Sequence, residues 1–130
     1  MKSFEEILNR FNQIKFAETF DMIVAVANGG IIPAAILNQK LNIDFNILKI
    51  NYRDDFQRPK YDIPQLIEPV NFNYKNKSIL VVEDRVKSGA SLGKAVELLQ
   101  GAKLIRTFAV NGKADYCLYD EDCFKFAWKF

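Results

Sequence analysis

Apolar residues along the 130-residue chain fall into two kinds of pattern. Short continuous runs alternate with stretches in which apolar residues return every three or four positions. Phe4, Ile7, Leu8, Phe11 and Ile14 have helical spacing, and Ser3 with Glu6 fits a capping box. These predict an amphipathic helix over 3–19. Met22 to Ala27 is a continuous apolar run, as expected of a strand buried on both faces. Asn28-Gly29-Gly30 follows, then a helical run over 31–41 with Pro33 in its first turn, where a missing N–H costs little. Phe45 to Ile50 predicts another strand. Ile79, Leu80, Val81 and Val82 are the most strand-like run, with a helix downstream marked by Leu92, Ala95, Val96, Leu98 and Leu99. Lys103 to Val110 predicts a fourth core strand, and Asn111-Gly112 a turn.

Strands alternating with helices imply an α/β fold, with a mostly parallel central sheet flanked by helices in one domain. Ligands of such sheets sit beyond the carboxyl ends of the strands. Two segments with usable chemistry fall there. The first is Asn28-Gly29-Gly30, where adjacent glycines suggest a positive φ, close approach of the backbone to a ligand, or simply a tight turn. The second runs from Glu83-Asp84 through Arg85-Val86-Lys87 to Ser88-Gly89-Ala90-Ser91. A small-residue turn before a helix offers amides, hydroxyls and the positive end of the helix dipole to an anion. The acidic pair can accept hydrogen bonds from sugar hydroxyls, directly or through a divalent ion. A third stretch, 51–76, is polar and irregular, with Pro59, Pro64 and Pro69 and a mixed-charge run from Tyr52 to Lys60. Long irregular segments in small domains are often functional.

Composition narrows the reading. A net charge of +2 gives no reason to invoke nucleic acid or a membrane surface. No apolar run approaches the roughly 18 residues that cross a bilayer. The first residues lack the basic-then-apolar layout of a signal peptide, so a cytoplasmic location is expected. The chain has no histidine, which rules out Ser-His-Asp and Cys-His catalysis and an ordinary zinc site at Cys117 and Cys123. Both cysteines are expected to be free thiols.

The run Val81-Val82-Glu83-Asp84-Arg85-Val86-Lys87-Ser88-Gly89-Ala90-Ser91 resembles the 5-phosphoribosyl-1-pyrophosphate (PRPP) motif of type I phosphoribosyltransferases. Ala27-Asn28-Gly29-Gly30-Ile31-Ile32-Pro33-Ala34 resembles the pyrophosphate loop of the same family, with Asn28 in place of its arginine. The resemblance extends from about residue 20 to the end and is nearest to short xanthine–guanine or hypoxanthine enzymes. It implies that Glu83 and Asp84 bind the ribose hydroxyls and, indirectly, Mg2+. Lys87, Ser88, Gly89, Ala90 and Ser91 would hold the 5-phosphate, and Asn28, Gly29 and Gly30 would face the pyrophosphate. It implies a mobile loop over 51–76, from which Arg53, Arg58 and Lys60 could serve the leaving group. It also implies a small C-terminal hood over 111–130, with Val110, Lys113, Cys123 and Phe124 near the base. A homodimer or homotetramer would be usual.

The ribose-phosphate half of the pattern is retained and the base half is altered. Lys87 stands where purine enzymes carry an aspartate that assists at the base nitrogen, and Val110 where a lysine meets the purine carbonyl. Ala127-Trp128 stands where Pro-Trp is usual. Three readings follow: transfer of ribose 5-phosphate from PRPP to a purine-like or other base; a non-catalytic relative that binds PRPP or a nucleotide as a sensor; and a flavodoxin-like domain whose serine turn only caps a helix.

Overall fold

The computed structural model describes residues 2–51, 65–66 and 70–129. Most of the 51–76 segment, with Arg53, Arg58 and Lys60, therefore lies outside the described residues. Its end does not: Val70, Phe72 and Tyr74 pack against the core.

The elements in chain order are α1 (Phe4–Gln13), β1 (Met22–Ala27), α2 (Ile31–Leu41), β2 (Asp44–Asn51), β3 (Gln65–Leu66), β4 (Ser78–Arg85), α3 (Ala90–Leu98), β5 (Leu104–Asn111) and β6 (Tyr116–Tyr119). They form a six-stranded sheet of order β3-β2-β1-β4-β5-β6. Strands β2, β1, β4, β5 and β6 run parallel, and the short β3 is antiparallel on β2. The α/β sandwich anticipated from the apolar runs is the fold observed. β6 was not anticipated as a strand: the first part of the expected hood extends the sheet.

Every residue of β1 is buried. Its alternate side chains enter two separate cores, as the period of two requires. Ile23 and Ala25 join Leu80, Val82, Phe108 and Val110 under α1 and α2. Met22, Val24 and Val26 join Ile79 and Val81 under α3. Asp21 fixes the strand starts, exchanging backbone and side-chain hydrogen bonds with Ser78 at 2.7 and 2.8 Å.

α1 is shorter than expected. Ser3 Oγ accepts from the Glu6 amide at 3.1 Å, so half of the capping box forms. The Glu6 carboxylate instead accepts from the Tyr119 hydroxyl at 2.6 Å. The helix stops after Gln13, where Ile14 turns extended. Lys40 on α2 donates to the carbonyls of Asn12 and Ile14 at 3.0 and 2.6 Å, satisfying groups that a helix end leaves orphaned. Phe16 then packs on Phe20, Phe108 and Tyr116, a set of contacts no continued helix would give.

β1 feeds α2 and β2 on one side of the sheet; β4 feeds α3 and β5 on the other. The strand order therefore reverses between β1 and β4. In open parallel sheets that reversal opens a crevice at the carboxyl ends of the two strands.

Candidate functional site

β1 ends in Ala27 and β4 in Arg85, and both chemically interesting segments lie at this crevice. Glu83 and Asp84 close β4 and are buried, at 9% exposure each. Burial pushes the Glu83 carboxyl well above the usual carboxylate range, and the negative charge of Asp84 beside it adds to this. Glu83 Oε1 accepts from the Asp84 amide at 3.0 Å. Asp84 is held at both oxygens: Oδ1 accepts from the Arg85 amide at 2.7 Å, and Oδ2 lies 3.5 Å from Lys129 Nζ.

The Asn28-Gly29-Gly30 loop meets this carboxylate directly. A Cβ on Gly29 would lie 2.5 Å from Asp84 Oδ1 and 2.6 Å from its Cγ. A Cβ on Gly30 would collide with the Val82 carbonyl and lie 2.7 Å from that of Val26. Neither glycine adopts a positive φ. Their missing side chains let α2 start hard against β1 and β4. The Gly30 amide donates to Val26 O at 2.8 Å, while Asn28 itself is exposed. The Ala27–Asn28 peptide bond is cis.

On the other side of Asp84, the turn from Val86 to Gly89 carries the chain into α3. The Val86 amide donates to Asn111 O at 2.9 Å. Lys87 and Ser88 are exposed, and Ser88 Oγ accepts from the Ala90 amide at 3.2 Å. Its hydroxyl proton can still be donated. Gly89 caps α3 at φ 82°, with open space where a Cβ would stand. Here glycine is required by the left-handed backbone. The amides of Ala90, Ser91 and Leu92 belong to the first turn, whose N–H groups have no carbonyl partner within the helix.

The residues expected at a base pocket are only partly gathered. Val110 is fully buried, packed with Phe108, Leu118, Tyr119 and Phe126, so its side chain belongs to the core. Lys113 and Cys123 are exposed, and both cysteines are free. Phe124 packs edge-on against Tyr119 and Phe126, each 5.3 Å away between ring centres. Its carbonyl accepts from Arg85 Nη2 at 2.6 Å, and the Arg85 guanidinium lies 4.8 Å from the Phe126 ring centre. Trp128 stacks on the far end of this chain of rings, 5.0 Å from Phe126 and 8° from parallel.

Three contributors were not singled out in the sequence. Arg85 ties the final segment to the site strand. Lys129 reaches back to Asp84. Gly112, expected only as a turn, has φ 125° and sits so close to Val86 that a Cβ would lie 2.8 Å from the Val86 Cβ. It thereby braces the Val86–Gly89 turn from the β5–β6 side. The motif around residue 85 gave no hint of the first two, because their partners are far apart in sequence. Gly112 was visible as a glycine, though its neighbour was not.

Among the described residues no group of three or more Cys, Asp or Glu side chains is placed to hold a metal ion. No helix of the described residues is long and apolar enough to cross a membrane.

Comparison with known proteins agrees with this geometry. The phosphoribosyl transferase domain family matches residues 2–127. Xanthine-guanine phosphoribosyltransferase of Vibrio atlanticus is 36% identical over 107 residues, covering 81% of this chain and 64% of that protein. The enzyme of the same description from Idiomarina loihiensis is 31% identical over 93 residues, covering 72% and 57%. The chain thus spans about three fifths of the length of these curated relatives. The crystal structure of a purine phosphoribosyltransferase from Pyrococcus horikoshii superposes with a TM-score of 0.80 at 22% identity, over 99% of this chain and 92% of that one. With its strand order reversing between β1 and β4 and its family match over nearly every residue, the chain belongs to the type I phosphoribosyltransferases, and the curated members it resembles are xanthine-guanine enzymes.

Proposed function

We propose that this protein binds PRPP at the β1–β4 crevice and transfers its ribose 5-phosphate to a purine-like base, releasing pyrophosphate. The observation that carries this reading is the contact between Gly29 and Asp84. It joins a loop suited to a diphosphate to a carboxylate suited to sugar hydroxyls, one strand end from a helix N-terminus suited to a phosphate. That neighbourhood supports a single site for the three parts of PRPP.

In the reaction the bond from the anomeric carbon to the pyrophosphate oxygen breaks, and a base nitrogen takes its place. The transition state is oxocarbenium-like, so a protein helps chiefly by positioning the partners and neutralising the departing charge. Lys87, Ser88, Gly89, Ala90 and Ser91 hold the 5-phosphate through amides, hydroxyls and the α3 dipole. Asp84 orients the ribose hydroxyls. Glu83, kept toward its neutral form by burial, can donate as well as accept. Asn28 and Gly29 face the diphosphate, and the buried Gly30, its amide on Val26 O, lets the loop sit against the strands. Mg2+ arriving with the substrate would be held indirectly from Glu83 and Asp84, the two carboxylates at the end of β4. When bound, it would neutralise the diphosphate. Lys113, Cys123 and Phe124 border the space for the base. The protein would work in the cytoplasm as a homodimer or homotetramer.

A second reading is favoured by specific residues. Lys87 cannot act as the carboxylate that assists a purine nitrogen, and the buried Val110 offers nothing to a purine carbonyl. A protein with these features could bind PRPP or a nucleotide as a sensor without turnover. Melting the protein with PRPP and Mg2+, then assaying pyrophosphate with each nucleobase, separates the two. Ligand at about 100 times its dissociation constant adds roughly 2.7 kcal/mol to stability. A shift with pyrophosphate release supports transfer; a shift without release for any base supports the sensor; no shift rejects both.

A further inference from the structure

The diphosphate loop lacks the family's arginine, and Asn28 brings no charge in its place. Yet a cation stands beside it. Lys129 Nζ lies 3.5 Å from Asp84 Oδ2, and the Asp84 carboxylate is the group packed against Gly29. The lysine side chain is 45% exposed and the aspartate 12%, so the ammonium sits at the mouth of the crevice over a largely covered partner.

Its reach is set by the fold. The Lys129 amide donates to Phe126 O at 3.0 Å, Trp128 stacks on Phe126, and Phe126 lies under the Arg85 guanidinium. The final segment is thus fastened to the same strand end that carries Asp84. Arg85 itself is engaged with the Phe124 carbonyl and the Phe126 ring. A half-exposed ion pair adds little to stability, so holding the fold together is a poor account of this lysine. An ammonium carries three donors and a single long contact to Asp84 leaves some of them available.

Resting on the PRPP reading, we infer that Lys129 is the cationic contact for the diphosphate end of the substrate, replacing from the C-terminal segment the charge missing at Asn28. In PRPP the diphosphate is attached to the anomeric carbon, next to the 2-hydroxyl. A carboxylate gripping that hydroxyl is therefore the natural neighbour of a cation serving the diphosphate. Lys129 balances Asp84 before substrate arrives and shares its charge with the phosphate oxygens afterwards.

The test is calorimetric binding of inorganic pyrophosphate, PRPP and ribose 5-phosphate to the wild-type chain, Lys129→Met and Lys129→Arg at one fixed Mg2+ concentration. The methionine variant is expected to lose roughly ten- to hundredfold in affinity for pyrophosphate and PRPP, the range of a charged hydrogen bond, while ribose 5-phosphate affinity holds. Arginine is expected to restore most of the loss. Unchanged pyrophosphate affinity in Lys129→Met, with ribose 5-phosphate still bound, would overturn the inference and leave the PRPP reading intact. Tighter binding of both ligands would overturn it too, showing Lys129 to be a plug on Asp84. Failure of the wild-type chain to bind ribose 5-phosphate at all would remove the PRPP reading and this inference with it.

Discussion

The carboxylate of Asp84 occupies the space that a side chain on residue 29 would need: a Cβ there would lie 2.5 Å from Oδ1 and 2.6 Å from Oδ2. A turn at the start of α2 and the acidic end of β4 are thereby locked into one unit. The glycine pair is explained by this packing whatever ligand the crevice holds.

Gly29→Ala and Gly30→Ala should therefore differ in kind. At 29 the obstacle is a side chain that can swing away, so folding survives at a cost of about 1 kcal/mol, while PRPP affinity falls because Asp84 is displaced. At 30 the obstacles are the backbone of Val82 and Val26, which cannot yield. Overpacking there should cost about 3 kcal/mol or more. Thermal melts paired with PRPP titrations check both halves. Equal melting temperatures for the two variants would contradict the packing account.

Ser88 is exposed in the turn before α3, where the 5-phosphate is proposed to bind. Ser88→Glu should leave the melting temperature of the free protein nearly unchanged, since exposed substitutions usually shift stability by less than about 0.5 kcal/mol. It should abolish the melting shift produced by ribose 5-phosphate, because a carboxylate would face the phosphate at the helix N-terminus. A retained shift would place the phosphate elsewhere.

By the resemblance of 81–91 to the PRPP motif, Lys87 falls where purine enzymes of the family carry an aspartate. If the protein transfers ribose 5-phosphate to purines through a weakened base site, Lys87→Asp should raise purine kcat by about a hundredfold, the lower end of general acid–base assistance. Pyrophosphate release kinetics with hypoxanthine, guanine and xanthine would show it. No gain for any of them would mean that the base nitrogen is not served from residue 87.

At the hydroxyl end of its ring, Tyr119 donates to Glu6 at 2.6 Å and joins β6 to α1. Burial and the Glu6 carboxylate push its phenol up to about 12. The folded state favours the neutral phenol, so its contribution to stability is complete below the ordinary tyrosine range near 10 and is lost as pH rises through about 12. Phenolate absorbance should show a late Tyr119 step beside that of Tyr116, whose hydroxyl donates to Glu18; the Tyr119 step should move downward in Glu6→Gln and vanish in Tyr119→Phe. An unaltered titration curve in both variants would refute the assignment.

Much of this molecule was legible in its residues. The bounds of β1 and α2 follow from an unbroken apolar run and from Pro33 at a helix start, both strong local signals. The position of the crevice followed from strands alternating with helices. The reversal between β1 and β4 did not, because strand order is a long-range property. α1 ended early because Lys40, on another helix, captured its last carbonyls. β6 escaped notice because Tyr116 to Tyr119 is only four residues long, too short for its apolar pattern to mark a strand. Lys129 and Arg85 act through partners dozens of residues away, which no local pattern encodes. Gly29 and Gly30 were visible as glycines, and their reason was visible only in the packing.

The central claim is that a sugar phosphate sits at the β1–β4 crevice, phosphate on the amides that open α3 and hydroxyls toward Asp84. A crystal soaked with ribose 5-phosphate tests it most directly. The account predicts phosphate density within hydrogen-bonding distance of the amides of residues 89–91, with ribose oxygens on Asp84. An empty crevice at saturating ligand, or the phosphate bound on another face of the sheet, would contradict it.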